Sequence, residues 1–430
     1  MKSNILKKMR NLLTLGLTLL AFSAFAQDLN QAGEVFNAGN QALKDGNSVL
    51  AIEKYQQCIE MASKLGAEGE QLVTGSKAQV PGLYAKIAAD DYKAGNTEKA
   101  IVEYENAIKF GELYGNPEIV AKAKENMPKL YYANGNDFSK AFSSANFVYE
   151  VNCTPGGFSV TYSNNDGGTE QYDAQGTTWK KTVRQKPDNN NANIIAQAKN
   201  EKATITVNIY FNGNLFKTAS SSGDFVNASA NGTIDAKDIK PDKNFLNEAI
   251  VNYQKSIDLN PRYVAAYWAK GLAYSKLNDF DKMNETFTEG VKIAQEDGDT
   301  KMVDKINQSA KKLLQTEGAT KLQTKSWNES VKYLNLALKY DETNKDVYYY
   351  LGLAYNGLSK WDDAIAATQK GLDYSAAEND EFKAKFYFEM GNAYKGKAMN
   401  DKACEAFKNA TFGRFAENAN YEIKTTLKCK

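Results

Sequence analysis

Few residues of this chain could do chemistry by type and spacing. There is no histidine among 430 residues, which removes the commonest general base and the commonest zinc ligand together. A cysteine nucleophile usually leans on a neighbouring His, so Cys58, Cys153, Cys404 and Cys429 are poor candidates for covalent catalysis. No spacing singles out a Ser–Lys pair. Asp341-Glu342 and Asp380-Glu381 fall near helix starts, where acids favour the macrodipole. Asp297-Gly298-Asp299 lacks the rest of a calcium loop, and Gly167-Gly168 has no following GK[ST] and helix. The chemistry left is recognition and cross-linking. The expectation is a chain that is not an enzyme, with no metal site and no cofactor. Net charge is +1, which gives no argument for a nucleic-acid partner.

The elements that would position recognition residues begin after a leader. Lys2, Lys7, Lys8 and Arg10 precede an apolar run from Leu12 to Phe22 and an Ala24-Phe25-Ala26 site before Gln27. Residues 1–26 therefore read as a secretory signal peptide. The rival is a membrane anchor, for which the run is too short and broken by threonine. No cysteine follows the site, so a lipid anchor is not expected. The chain reads as exported, into a bacterial periplasm, with no transmembrane segment in its mature part. Charged residues are 24% and hydrophobic residues 42%, ordinary for a soluble globular protein.

The most regular stretch is DVYYYLGLAYNGLSKWDDAIAATQKG, Asp346 to Gly371. Tyr348, Leu351, Gly352 and Tyr355 share one face of a first helix, and Ala364 faces them from a return helix. Earlier copies place Gly39, Ala42, Ala51, Tyr55 and Cys58, then Ala100, Tyr104 and Ala107, at equivalent positions. Later copies place Tyr267, Gly271 and Tyr274, then Tyr387, Met390, Gly391, Tyr394, Ala403 and Phe407. Ala249 to Met283 and Ser330 to Ala364 each span 34 positions. These residues resemble the tetratricopeptide repeat pattern W-x2-L-G-x2-Y…A-x3-F, a helix–turn–helix unit that must stack with copies of itself. Seven repeats are counted. Pro81 either kinks its helix or marks a helix start.

One repeat is split. Tyr131, Asn134, Gly135 and Phe138 close a first helix, but its return helix, FLNEAIVNYQKSIDLNP, appears only at Phe245 to Pro261. Between them the period changes. In TITVNIYF, Ile205, Val207, Ile209 and Phe211 alternate with polar residues before Asn212-Gly213, a strong hairpin signal. Phe158, Val160 and Tyr162 alternate too; Asp166-Gly167-Gly168 and Asn231-Gly232 read as turns, and Pro187 to Asn193 as a polar loop. A six- or seven-stranded β-sandwich is expected here. YSNNDGGTEQ, the isolated Trp179, and SSSGDF resemble the extracytoplasmic domain of the mycobacterial small membrane protein (MmpS-type) family, whose members act beside lipid and siderophore exporters. That likeness implies a sandwich fold.

The expected fold class is mainly α: a tetratricopeptide-repeat α-solenoid of antiparallel helix pairs interrupted by one small all-β sandwich. The domains are 27–143, 144–240 and 241–430, the last ending in a capping helix from Ala416 to Leu427. Cys404 lies on the last return helix and Cys429 at the end of the cap. An antiparallel cap would bring them together as a disulfide; otherwise they are two unpaired thiols. Cys58 reads as a buried thiol, and Cys153 has no obvious partner. Tyr104, Tyr253, Tyr274, Tyr355 and Tyr394 read as core. The repeat resemblance implies that Trp268, Tyr349, Tyr350 and Phe388 line a concave groove, with Lys276, Asn356, Asn392 and Lys395 beside them to bond a backbone or carboxylate. The expected partner is a protein or peptide of the cell envelope. The alternative is a carrier or exporter accessory whose β-module binds a lipid or siderophore.

Overall fold

The computed structural model describes residues 27–165, 167–185, 190–239 and 241–430. The signal peptide read at 1–26, Asp166 of the glycine turn, residues 186–189 of the polar loop and Lys240 lie outside the described residues. The chain divides into two compact units, up to Tyr263 and from Val264.

The first unit opens with α1 (27–44) and α2 (Ser48–Ser63), joined at Gly46, whose φ of +78° suits glycine. Tyr55 is fully buried and its hydroxyl donates to Asn40 Oδ1 at 2.7 Å. α3 (Glu70–Lys93) and α4 (Thr97–Tyr114) repeat the hairpin. Pro81 lies buried inside α3, not at a helix start. α5 (Pro117–Ala141) begins where the Asn116 side chain accepts the Ile119 N–H at 3.3 Å and proline takes the first helical position.

At the end of α5 the chain leaves for eight strands: β1 (Asn146–Thr154), β2 (Phe158–Ser163), β3 (Thr169–Ala174), β4 (Thr178–Arg184), β5 (Asn191–Ala198), β6 (Ala203–Phe211), β7 (Asn214–Gly223) and β8 (Asn227–Thr233). They form two antiparallel four-stranded sheets, ordered β4-β1-β6-β7 and β3-β2-β5-β8. Eight strands replace the six or seven expected. β3, TEQYDA, buries only Ala174, and the polar β7 buries nothing fully, so neither shows the alternation that marks a strand in sequence. Asn212-Gly213 is the expected hairpin, with φ of +50° and +79°. Asn231-Gly232, however, lies within β8 and makes no turn. A Cβ on Gly232 would stand 2.6 Å from the Phe216 ring, so the glycine admits a close ring instead. Asn191 to Asn193 open β5 rather than closing a loop. Between the sheets Phe147, Tyr149, Val151, Phe158, Val160, Ile194, Ile205, Val207 and Ile209 are fully buried.

The chain returns as α6 (Lys243–Leu259), capped by the Asp242 carboxylate on the Asn244 N–H at 2.9 Å. α6 packs along α5 and completes the split hairpin. A Cβ on Gly135 would lie 2.6 Å from the Tyr253 ring, so only glycine lets that ring settle on α5. The Tyr253 hydroxyl donates to Asn136 Oδ1 (2.8 Å), Asn134 Nδ2 to Asn252 Oδ1 (3.0 Å), and Ser256 Oγ to the Pro128 carbonyl (2.7 Å). Where the module leaves and rejoins the helices, the Asp242 N–H donates to the Phe142 carbonyl at 3.1 Å. The Arg184 guanidinium of β4 stands 4.3 Å from the Phe138 ring centroid and 5.4 Å from that of Phe245, a cation–π clamp of about 1 kcal/mol.

The second unit holds α7 (Val264–Lys276), α8 (Phe280–Glu296), α9 (Thr300–Gln323), α10 (Trp327–Leu338), α11 (Lys345–Gly357), α12 (Trp361–Asp373), α13 (Asp380–Gly396) and α14 (Asn400–Asn409). α15 (Ala416–Tyr421) and a π-helical turn (Glu422–Thr426) follow. The described residues thus contain seven helical pairs, α5 and α6 being the interrupted one. Because the chain ends at Phe142 and Asp242 already touch, replacing residues 144–240 with a two-residue Asn-Gly turn is expected to keep full helical circular dichroism and one cooperative thermal transition. A collapse of that transition would make the module part of the helical core.

Candidate functional site

In the second unit the first helices of successive pairs, α7, α9, α11 and α13, touch one another in order. The residues read as groove-lining are distributed along them unequally. Trp268 on α7 is half-buried. Its indole N–H donates to Ser309 Oγ of α9 at 3.1 Å, and the Lys305 ammonium lies 3.6 Å from its ring centroid. An open depression of about 570 Å³ beside it is lined by Lys305, Gln308, Ser309, Lys311, Lys312 and Gln315. Lys276, at the end of α7, is exposed, and partial desolvation lowers its pKa from the ordinary value.

Toward α13 the face is covered by the end of the chain. Tyr349 packs on Tyr350 (5.5 Å between centroids) and meets Phe386 and Phe415 edge-on at 6.2 and 6.5 Å. Burial, helped by the Glu389 carboxylate, pushes its hydroxyl up to about 12. Phe388 lies 5.5 Å from both Phe407 and Phe415. Lys395 Nζ donates to Glu422 Oε1 at 2.7 Å. Cys404 and Cys429 are joined as a disulfide with Cα atoms 5.7 Å apart, within the usual range. Cys58 and Cys153 are buried free thiols.

Asn356 and Asn392 converge on a residue that sequence inspection missed. Glu389 is only 5% exposed. Its Oε2 accepts from Asn356 Nδ2 at 2.9 Å and from Asn392 Nδ2 at 3.3 Å, while its backbone carbonyl also accepts from Asn356 at 2.9 Å. No cation among the described residues comes within ion-pair reach of it. Burial raises its pKa above 4.5, and the two amide donors only partly counter this. A single glutamate within a helix carries no sequence signal for burial. Lys305 and Ser309 were also missed, since contact with Trp268 needs two helices to come together. The five tyrosines read as core divide: Tyr104 and Tyr253 are buried, whereas Tyr274, Tyr355 and Tyr394 are half-buried.

Among the described residues no three acidic or cysteine side chains gather as a metal would need, and no helix is long and apolar enough to cross a membrane.

The family model described as "TPR repeat" matches residues 238–278, and that described as "Tetratricopeptide repeat" matches 264–297. The chain carries tetratricopeptide repeats across that stretch. No curated protein sequence matches the chain. Among solved structures, a MamA protein is similar at 21% identity, with 43% of this chain and 87% of that one covered and a TM-score of 0.26. YrrB, titled a TPR protein with an unusual peptide-binding site, is similar at 18% identity, covering 41% and 84%, with a TM-score of 0.26. MamA from Desulfovibrio magneticus RS-1 is similar at 19% identity, covering 41% and 87%, with a TM-score of 0.25.

Two outcomes follow from these contacts. Folded Glu389 keeps its proton at pH values where the unfolded chain has released it, so stability falls as pH rises from about 4.5 through the raised pKa. Glu389→Gln is expected to raise the urea midpoint at pH 7.5, and that gain should vanish at pH 4. Cys404→Ser removes the clamp on the cap; it should lower stability by about 3 kcal/mol, measured by denaturant titration.

Proposed function

We propose that this chain is an exported, non-enzymatic scaffold that holds a protein or peptide partner against the first-helix face of residues 264–430. On this reading the β-module, spanning 144–240 between helical segments 27–143 and 241–430, is a second contact surface, and the setting is a bacterial cell envelope. The observation that carries the reading is Trp268. It is a large ring, half-exposed, held in one orientation by the Ser309 hydroxyl and the Lys305 ammonium beside an open depression. Oriented aromatics with polar neighbours are what interface hot spots are made of. The Cys404–Cys429 disulfide supports an oxidising compartment. Two contact surfaces on one chain would raise avidity where both engage together.

The carrier reading requires room inside the sandwich for a lipid tail or siderophore. Its interior is occupied by Phe147, Tyr149, Phe158, Tyr162, Ile194, Ile205 and Ile209, all at most 4% exposed. That filled core favours a contact surface over a container.

Trp268→Ala combined with Tyr349→Ala is expected to lower crosslinking to native neighbours at least fivefold, with helical circular dichroism unchanged. Unaltered crosslinking in a folded double variant would remove the first-helix face from the binding role.

A further inference from the structure

α9 is 24 residues long, whereas α7 and α11 have 13 each. Its N-terminal two-thirds, Thr300 to Gln315, includes every residue that lines the open depression and is called the α9 shelf below. Ile306, Ala310 and Leu314, four residues apart, are fully buried against the stack. The opposite side carries Lys305, Gln308 and Lys312, all exposed. Between Thr300 and Gln315 the sequence has four lysines and a single acid, Asp304.

The charges on this shelf are not neutralised alike. Lys311 is matched by Asp341 at 3.2 Å. Lys305 faces the Trp268 ring instead of a carboxylate, and a π face leaves ammonium N–H groups unused. Lys312 has no ion pair among the described residues. Every side chain lining the 570 Å³ depression is polar and none is acidic. A surface with two uncompensated cations and two side-chain amides is complementary to carboxylates.

We infer that the α9 shelf recognises an acidic segment of the protein partner, with Asp or Glu side chains meeting Lys305 and Lys312 and the Gln308 amide bonding the peptide. This deepens the scaffold reading and rests on it. Nucleic acid fits less well. The depression is lined by no arginine, and the Trp268 ring already spends a face on Lys305 and its N–H on Ser309, leaving little for base stacking.

The test uses the full chain and labelled 12-residue peptides of net charge −6, 0 and +6, with a 12-nucleotide thymidine strand as competitor, read by fluorescence anisotropy. The −6 peptide should bind at least tenfold tighter than the neutral one. Lys305→Ala with Lys312→Ala should erase that preference, while Lys44→Ala, on exposed α1, should keep it. Absence of a charge preference, its survival in the double variant, or displacement of the peptide by the thymidine strand at equal or lower concentration would overturn the inference. If it fails while Trp268→Ala/Tyr349→Ala still reduces native crosslinking, the acidic chemistry is wrong and the scaffold stands. If crosslinking is also unmoved, both fall.

Discussion

The seating of the Tyr253 ring over Gly135 is the contact on which the first unit depends. It closes a helical hairpin whose halves are separated by about a hundred residues. Closing so long a flexible loop, against a three-residue turn, would cost roughly 3 kcal/mol more in chain entropy. The insert avoids most of that cost because it is itself folded and returns the chain to its starting point, where Asp242 bonds Phe142. The gain on the other side is a fully buried aromatic ring, worth about 1.5–3 kcal/mol, with three side-chain hydrogen bonds across the pair. A folded domain can occupy the turn of a hairpin when its ends are this close. Arg184, between Phe138 and Phe245, makes that junction a packed one.

In the second unit the comparable constraint is the covering of an end. A stack of amphipathic pairs leaves its last apolar face bare unless something lies on it. Here Phe415 and the turn after α15 do so, tied by a disulfide to α14 and by an ion pair from Lys395 to Glu422. The same covering divides the residues read as one groove. Trp268 stays half-open beside the α9 shelf, whereas Phe388 and Lys395 are engaged by the chain's own terminus. On the proposed scaffold reading, recognition concentrates at α7 and α9. Glu389 shows the cost of that packing: a carboxyl without a cation, supported by two amides, favours its neutral form.

The extended α9 joins these themes. Its stretch from Thr300 to Gln315 carries one acid among four lysines, a definite local charge on a chain whose overall balance is close to neutral. Net charge alone says nothing about such a face, because Lys282, Lys321 and Lys332 are each matched locally by carboxylates.

What could be read from the residues follows from local rules. The 34-residue spacing, the glycine and aromatic positions and the interruption after Phe138 are set by helix period and by the size of side chains that must interlock, so they are visible along the chain. The Asn212-Gly213 hairpin is visible for the same reason, since left-handed backbone selects those residue types. β3 and β7 were not, because edge strands with polar faces lack alternation. Nor was Gly232, whose role is set by a ring from another strand. Burial of Glu389, the pairing of Trp268 with Lys305 and Ser309, and the covering of Phe388 depend on side chains 27 to 41 positions apart meeting across helices. Sequence determined the repeating unit and where it is broken. Only the packed structure decided which outward residues stay open to a partner, because that depends on which distant segment comes to rest on them.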